Sequence, residues 1–200
     1  PIFDGYEERN DIKILAKVKA TQTNINEMQM RNYVFNGCRR DVFNGYATQS
    51  VGKLKNIILF YIESFGGVFF TMMNKLLFYT DFYSYKITSK GMSGLAYKAI
   101  KRGPVPIRWD RIYSFYDDIQ QEIVHFESGV EGTMLTSTLS PDLTEFTEDE
   151  LNILETIYRR FKSENSTKIS DISHNEDAWR KYVDSGQVIN FNMAFSLKAI

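Results

Sequence analysis

The 200-residue chain has one cysteine, Cys38, two histidines, four prolines and two tryptophans. A single cysteine excludes an intramolecular disulfide framework and fits a reducing compartment such as the cytoplasm. His125 and His174 stand far apart in sequence and far from Cys38, so no zinc-ligand spacing exists. The Asp-x-Asp-x-Asn-Gly pattern of a calcium loop is also missing, and neither a metal nor an organic cofactor is expected. No apolar run reaches the roughly 18 residues of a membrane span. The richest, Val51 to Met73, is broken by Lys53, Lys55, Glu63 and Gly66-Gly67. No signal peptide is visible, and the start at Pro1 without methionine reads as a trimmed terminus.

Catalytic patterns are equally scarce. Gly91-x-x-Gly94 lacks both the lysine of a phosphate loop and the third glycine of a dinucleotide fingerprint. Ser173 and His174 are sequence neighbours, which rarely face each other as nucleophile and base. Arg39 and Arg40 follow Cys38 and would favour its thiolate, but no base can be located for it. No catalytic residue is assigned, and the chain reads as a non-enzyme.

What is present suits a globular domain: 43% hydrophobic and 24% charged residues. The net charge of −1 is unevenly spread, with residues 51–118 at +5 and residues 119–200 at −7. Two solvated faces explain this, and so does a polarised surface that steers a partner. Lys98, Lys101, Arg102, Arg108 and Arg111 are opposed locally only by Asp110, with Tyr97 and Trp109 interleaved. Single-stranded nucleic acid binders use such pairings, but a pI of 6.2 argues against nucleic acid as a partner of this chain alone. A protein partner is favoured.

Residues 1–50 read as an N-terminal extension or linker, with a short helical hint at Ile12, Ile14, Leu15 and Val18 and a polar stretch from Thr21 to Asn32. The spacing of Leu54, Ile57, Ile58, Tyr61, Ile62 and Phe65 predicts an amphipathic helix stopped by Gly66-Gly67. A second helix over about 71–87 is apolar nearly all round and should be central. Residues 95–102 should be extended. Val105, Trp109, Ile112, Tyr116 and Ile119 then mark a third helix. Two strands are expected at 123–127 and 133–138, then a capping box, Thr147-x-x-Glu150, opening a helix. Ser173-x-x-Glu176 reads as a second capping box, with His174 exposed in a first helical turn. The last fifteen residues should dock on the domain. The fold class is therefore α+β and helix-dominated, with about five or six helices and one small antiparallel β-hairpin.

Asp81 lies in the most aromatic part of the chain, where a carboxylate is costly unless it is hydrogen-bonded. It is either a structural acceptor for a tyrosine hydroxyl or backbone amides, or a polar anchor under a binding groove. Gly103 and Pro104 break the chain rigidly, and Tyr97, Arg102 and Trp109 are types enriched at interface hot spots. Trp109 also fits an apolar stripe.

The motifs Lys75-Leu-Leu-Phe-Tyr-Thr-Asp81, Ser93-Gly94-Leu-Ala-Tyr97-Lys-Ala99 and Gly103-Pro104-Val105-Pro106 occur in that order. They are followed by Trp109-Asp110-Arg-Ile112-Tyr113, Phe146-Thr-Glu-Asp-Glu150, Ser173-His174-Asn-Glu176-Asp-Ala-Trp179 and Ala194-Phe195-Ser196-Leu197-Lys198-Ala199-Ile200. Together they resemble the Panacea domain of SocA-like antitoxins, over residues 51–200. The resemblance implies a bacterial or phage-borne component of a toxin–antitoxin system that neutralises a cognate toxin protein by direct binding, without catalysis, metal or cofactor. The alternatives are a DNA-binding regulator of its own operon and an adaptor delivering a toxin to a protease. No helix-turn-helix module is seen, which leaves promoter binding open. The expected partner surface is Tyr97, Lys101, Arg102, Gly103, Pro104, Trp109 and Arg111, with Asp81 beneath it.

Overall fold

The computed structural model describes residues 4–35, 39–127 and 129–200, so Cys38 lies outside the described residues. Helix α1 runs Asp4–Val34. It includes the polar stretch Thr21 to Asn32, which has neither glycine nor proline to stop a helix. Met30 and Val34, near its C-terminus, are buried, whereas Ile14, Val18 and Met28 are exposed.

Helix α2, Val51–Phe65, starts where the Ser50 side chain accepts from Lys53 N and ends at Gly66 in the left-handed region. The amides of Gly66 and Gly67 close it on the carbonyls of Glu63 and Ile62 at 3.3 and 2.9 Å. After the two-residue strand β1, Val68–Phe69, helix α3 spans Phe70–Thr88. Every residue from Met72 to Phe82 on α3 is buried. It packs on α4, Glu148–Phe161, and α5, Ser166–His174, and on the C-terminal 3-10 segment Phe191–Ser196. The reading of α3 as the central helix holds.

The strands form two sheets. In the first, β5, Glu131–Thr136, lies between β1 and β4, Gln120–His125, all antiparallel. The expected hairpin is there, a few residues earlier on β4, and it gains β1 as a third strand. The second sheet is a hairpin of β2, Tyr97–Ile100, and β3, Gly103–Pro106, with Ile100 opposite Gly103. This hairpin replaces the start of the expected third helix. Pro104 and Pro106 have no amide to donate and Gly103 sits at φ +101°, so the chain pairs as a strand instead. Beyond it only tight turns form, Trp109 N to Pro106 O and Arg111 N to Arg108 O, then a 3-10 turn at Ile112–Phe115. Such turns bury Ile112, Tyr113 and Tyr116 without an α-helix. The chain is α+β with six α-helices among the described residues, and it has two small sheets where one hairpin was expected.

The Thr147 capping box is reciprocal: Glu150 N donates to Thr147 Oγ1 at 3.3 Å, and Thr147 N donates to Glu150 Oε2 at 2.9 Å. The second capping box does not form. Ser173 lies in the last turn of α5 and donates to Ser170 O at 2.7 Å. Glu176, just before α6, Asp177–Tyr182, is buried and accepts from Lys198 N and Ala199 N at 2.9 and 3.1 Å. Glu176 thereby clamps the chain's last residues, and Phe191 stacks on Phe82 at 4.4 Å. The C-terminal segment docks, as expected.

Candidate functional site

Asp81 is fully buried on α3 and accepts from four donors. Met92 N and Ser93 N reach Oδ1 at 2.7 and 2.6 Å. The Ser93 and Tyr97 hydroxyls reach Oδ2, the latter at 2.5 Å. Burial pushes the carboxyl up and these bonds pull it back. The donors belong to the segment that leads into β2, so Asp81 fixes the start of the β2–β3 hairpin against α3. Tyr97 is buried with it, and burial followed by the Asp81 charge pushes its hydroxyl far up. Neither side chain is on the surface. The geometry is that of the structural acceptor, with a tyrosine hydroxyl and backbone amides as its donors.

At the other end of the hairpin, Lys101 and Arg102 are exposed at the tip, while Gly103 and Pro104 are buried. Glycine is required at 103. At its φ of +101° a Cβ would lie 2.4 Å from Ser173 Oγ and 2.6 Å from Lys75 Cε. The tip is held from α6 by Trp179, whose indole N–H donates to Ile100 O at 2.7 Å. Trp179 in turn carries the His174 ring, 4.2 Å centroid to centroid and inclined by 31°. His174 therefore sits in the last turn of α5, half-buried, not in an exposed first turn.

Lys75, 1% exposed on α3, ends under this tip. Burial, reinforced by the Arg102 guanidinium, lowers its ammonium to about 7. His174 is also pushed down, by burial and then by the Lys75 charge. Sequence reasoning noticed Asp81 as a charge in an apolar helix and passed over Lys75, the same signal one turn and a half earlier. His174 is brought within reach of the Lys75 charge, and Trp179 against His174, only by the packing of α5 and α6, which no local pattern shows.

The two remaining candidates lie beyond β3. Trp109 is half-buried with its ring edge-on to Phe70, 5.8 Å between centroids. Arg111 is exposed, with Asp110 Oδ2 3.7 Å from its Nε. Arg108 lies over the ring of Tyr33 at 4.7 Å, joining this basic stretch to α1. Lys101 and Arg102 thus form an exposed tip backed by the buried Gly103 and Pro104, Asp81 and Tyr97 lie buried at the base of the hairpin, and Trp109 and Arg111 occupy the turns after it. An open cleft of about 840 Å³ borders the base, lined by Arg39, Asp41, Ala96, Ile107, Tyr182 and Val188 among others. Among the described residues no group of three His, Cys, Asp or Glu side chains is placed to hold a metal ion, and no helix is long and apolar enough to cross a membrane.

No curated protein and no solved structure shows a significant match to the chain. A family model does: residues 73–180, more than half of the chain, match the description "Antitoxin SocA-like, Panacea domain". The matched span runs from α3 through α6 and holds both buried charges of α3, the whole β2–β3 hairpin and the His174–Trp179 pair. The chain belongs to the SocA-like antitoxin family and carries its Panacea domain.

Proposed function

We propose that this protein is the antitoxin of a toxin–antitoxin pair and neutralises its cognate toxin by direct protein–protein contact, without catalysis. Family membership is the observation that carries the reading, because an antitoxin-like family implies a toxin partner. Residues 51–200 act as the Panacea domain and residues 1–50 as its N-terminal extension, although Met30, Val34 and Phe35 of that extension join the core. The protein works in the cytoplasm of a bacterial host.

The contact surface is the β2–β3 hairpin with the turns that follow, Tyr97 to Arg111. Lys101 and Arg102 project from a tip fixed by Trp179 on one side and Lys75 on the other. Side chains presented on a fixed backbone lose little further freedom when they dock. Asp81 and Tyr97 serve this surface from beneath by holding the hairpin to α3. The toxin face that meets the tip is acidic.

The test is co-expression with the product of the adjacent gene. Rescue of growth together with co-elution of the two chains as one species supports the reading. Failure of both overturns it. Salt-sensitive, sequence-specific retardation of the operon's own upstream DNA by the chain alone, with no complex between the proteins, would place the function in gene regulation instead.

A further inference from the structure

Lys75 and His174 lie beneath the hairpin tip that carries the exposed Arg102, and no carboxylate acts on Lys75. Lys75 is 1% exposed, and the groups acting on its ammonium are the burying protein and the Arg102 guanidinium, with no acid. Among the described residues it has neither an ion pair nor a hydrogen bond. Its Nζ and the Ser173 hydroxyl lie 3.1 and 2.4 Å from the position a Cβ on Gly103 would take. The glycine thus lets the turn settle onto the lysine. Beside it, His174 Nε2 is buried without a hydrogen-bond partner among the described residues, and the ring feels the Lys75 charge and the Lys101 backbone carbonyl. Trp179 packs against the ring at 4.2 Å between centroids, inclined by 31°. Asp171 is the carboxylate that acts on His174, and it lies exposed on the same helix.

Buried cations are ordinarily paired, and like charges are brought together where an anion satisfies them jointly. A lysine ammonium, a forked guanidinium and an imidazole nitrogen make a donor set suited to the oxygens of one anion. We propose that the corner between Lys75, Arg102 and His174 is an oxyanion-binding site that takes a single phosphate or carboxylate group. The site stands independently of the antitoxin reading. Its ligand is a free ion or an acidic group carried by another molecule, and both offer the same oxygens. Binding holds Lys75 and His174 in their charged forms. It therefore strengthens as pH falls from 8 to 6, with Arg102 adding positive charge from the tip, the Lys101 backbone carbonyl favouring the protonated His174 ring, and Asp171 opposing the positive field from α5.

The experiment titrates the full chain with sodium phosphate and, separately, sodium acetate at pH 6 and constant ionic strength, following the two histidine ring resonances by NMR. A saturable shift of His174, with His125 unmoved, is expected for at least one anion. Saturation by phosphate alone assigns a phosphate ligand, and saturation by acetate as well assigns the site to acidic side chains. Arg102→Ala should weaken binding about tenfold, the loss of one charge-assisted contact. Lys75→Met should abolish it while keeping a cooperative thermal transition. If Lys75→Met fails to fold, the exposed Arg102 variant decides. The proposal is overturned if neither anion shifts His174 beyond a chloride control, or if Arg102→Ala binds as the wild type does.

Discussion

Asp81 and Lys75 lie six residues apart on α3, both essentially without exposure, and their surroundings are opposite. Asp81 is met by four donors, two of them backbone amides that no substitution short of proline removes. Lys75 lies under Gly103 and interacts electrostatically with the Arg102 guanidinium and the His174 imidazole, with no acceptor of its own among the described residues. A buried charge whose hydrogen bonds are complete is part of the scaffold. One that is incomplete is costly to the fold, and such groups concentrate where binding takes place. The same hairpin separates the two: its base is fastened by Asp81 and its tip is settled over Lys75.

Breaking the satisfied end should cost most. Asp81→Ala leaves two amides and the Ser93 hydroxyl without their acceptor inside the core, with Tyr97 retaining only the Leu77 carbonyl, and a loss of about 4 kcal/mol is expected by urea denaturation. A variant within 1 kcal/mol of wild type would show that the four contacts do not hold the hairpin. Next comes the tip. Gly103→Ala meets both an unfavourable φ and overlap with Ser173 and Lys75, for an expected loss of about 2–4 kcal/mol. Recovery in Gly103→Ala combined with Ser173→Gly, seen as a higher Tm than the single variant, would locate the strain in that contact.

How far these two ends could be read in the sequence follows from the kind of signal each leaves. Helices α2, α3 and α4 were legible because apolar spacing, Gly66 and the Thr147 box are local patterns. Asp81 was legible as a charge among aromatics, and its acceptor role followed from the cost of leaving it bare. The third helix was misread because Ile112, Tyr113 and Tyr116 keep a helix-like spacing in tight turns, while the prolines at 104 and 106 had already committed the chain to a strand. The Ser173 box was misread because its spacing matches a cap, and only the packing of α5 on α3 shows Ser173 spent inside a helix. Helix α1 was missed over its polar half because amphipathic spacing is weak there: Ile12, Ile14, Leu15, Val18, Ile25 and Met28 are exposed, and only Met30 and Val34 near its end are buried. The corner around Lys75 draws on α3, α5, α6 and the hairpin, so no single stretch could have announced it.

Relieving the unsatisfied end should have the opposite sign. Lys75→Met keeps the stem's volume and removes the charge, and at pH 6 it should stabilise the chain by about 2 kcal/mol. The pH dependence follows from the folded value of about 7 against about 10.4 in the unfolded chain. Below pH 7 both states hold the proton and the burial cost is fully present. Above pH 7 the folded state releases the proton while the unfolded state keeps it, so unfolding takes up a proton and wild-type stability rises with pH. The advantage of Lys75→Met should therefore shrink between pH 7 and pH 9, by at most about 1.4 kcal/mol per unit. The window closes before the tyrosines of the unfolded chain ionise near pH 10. A constant difference across that range, measured by parallel urea titrations, would mean that Lys75 keeps its proton in the folded state.

The smallest effect on stability is expected where the comparison reaches solvent. Lys101 and Arg102 are exposed at the tip and make no ion pair among the described residues, so reversing both to glutamate removes no favourable contact within the fold. The Tm of the double variant should stay within about 2 °C of wild type, consistent with a change of a few tenths of a kcal/mol. Its one internal consequence concerns Lys75. A glutamate at 102 replaces the like charge that disfavours the lysine's proton with an opposite one, so the pH-dependent rise in stability above pH 7 should start later. The proposed toxin complex should suffer far more, because two cations that would steer an acidic partner become two anions that would repel it, slowing association most at low salt. Association rates measured at two ionic strengths separate the cases. A loss that diminishes as salt rises is the expected result, while unchanged rates in both would move the contact surface away from the hairpin tip.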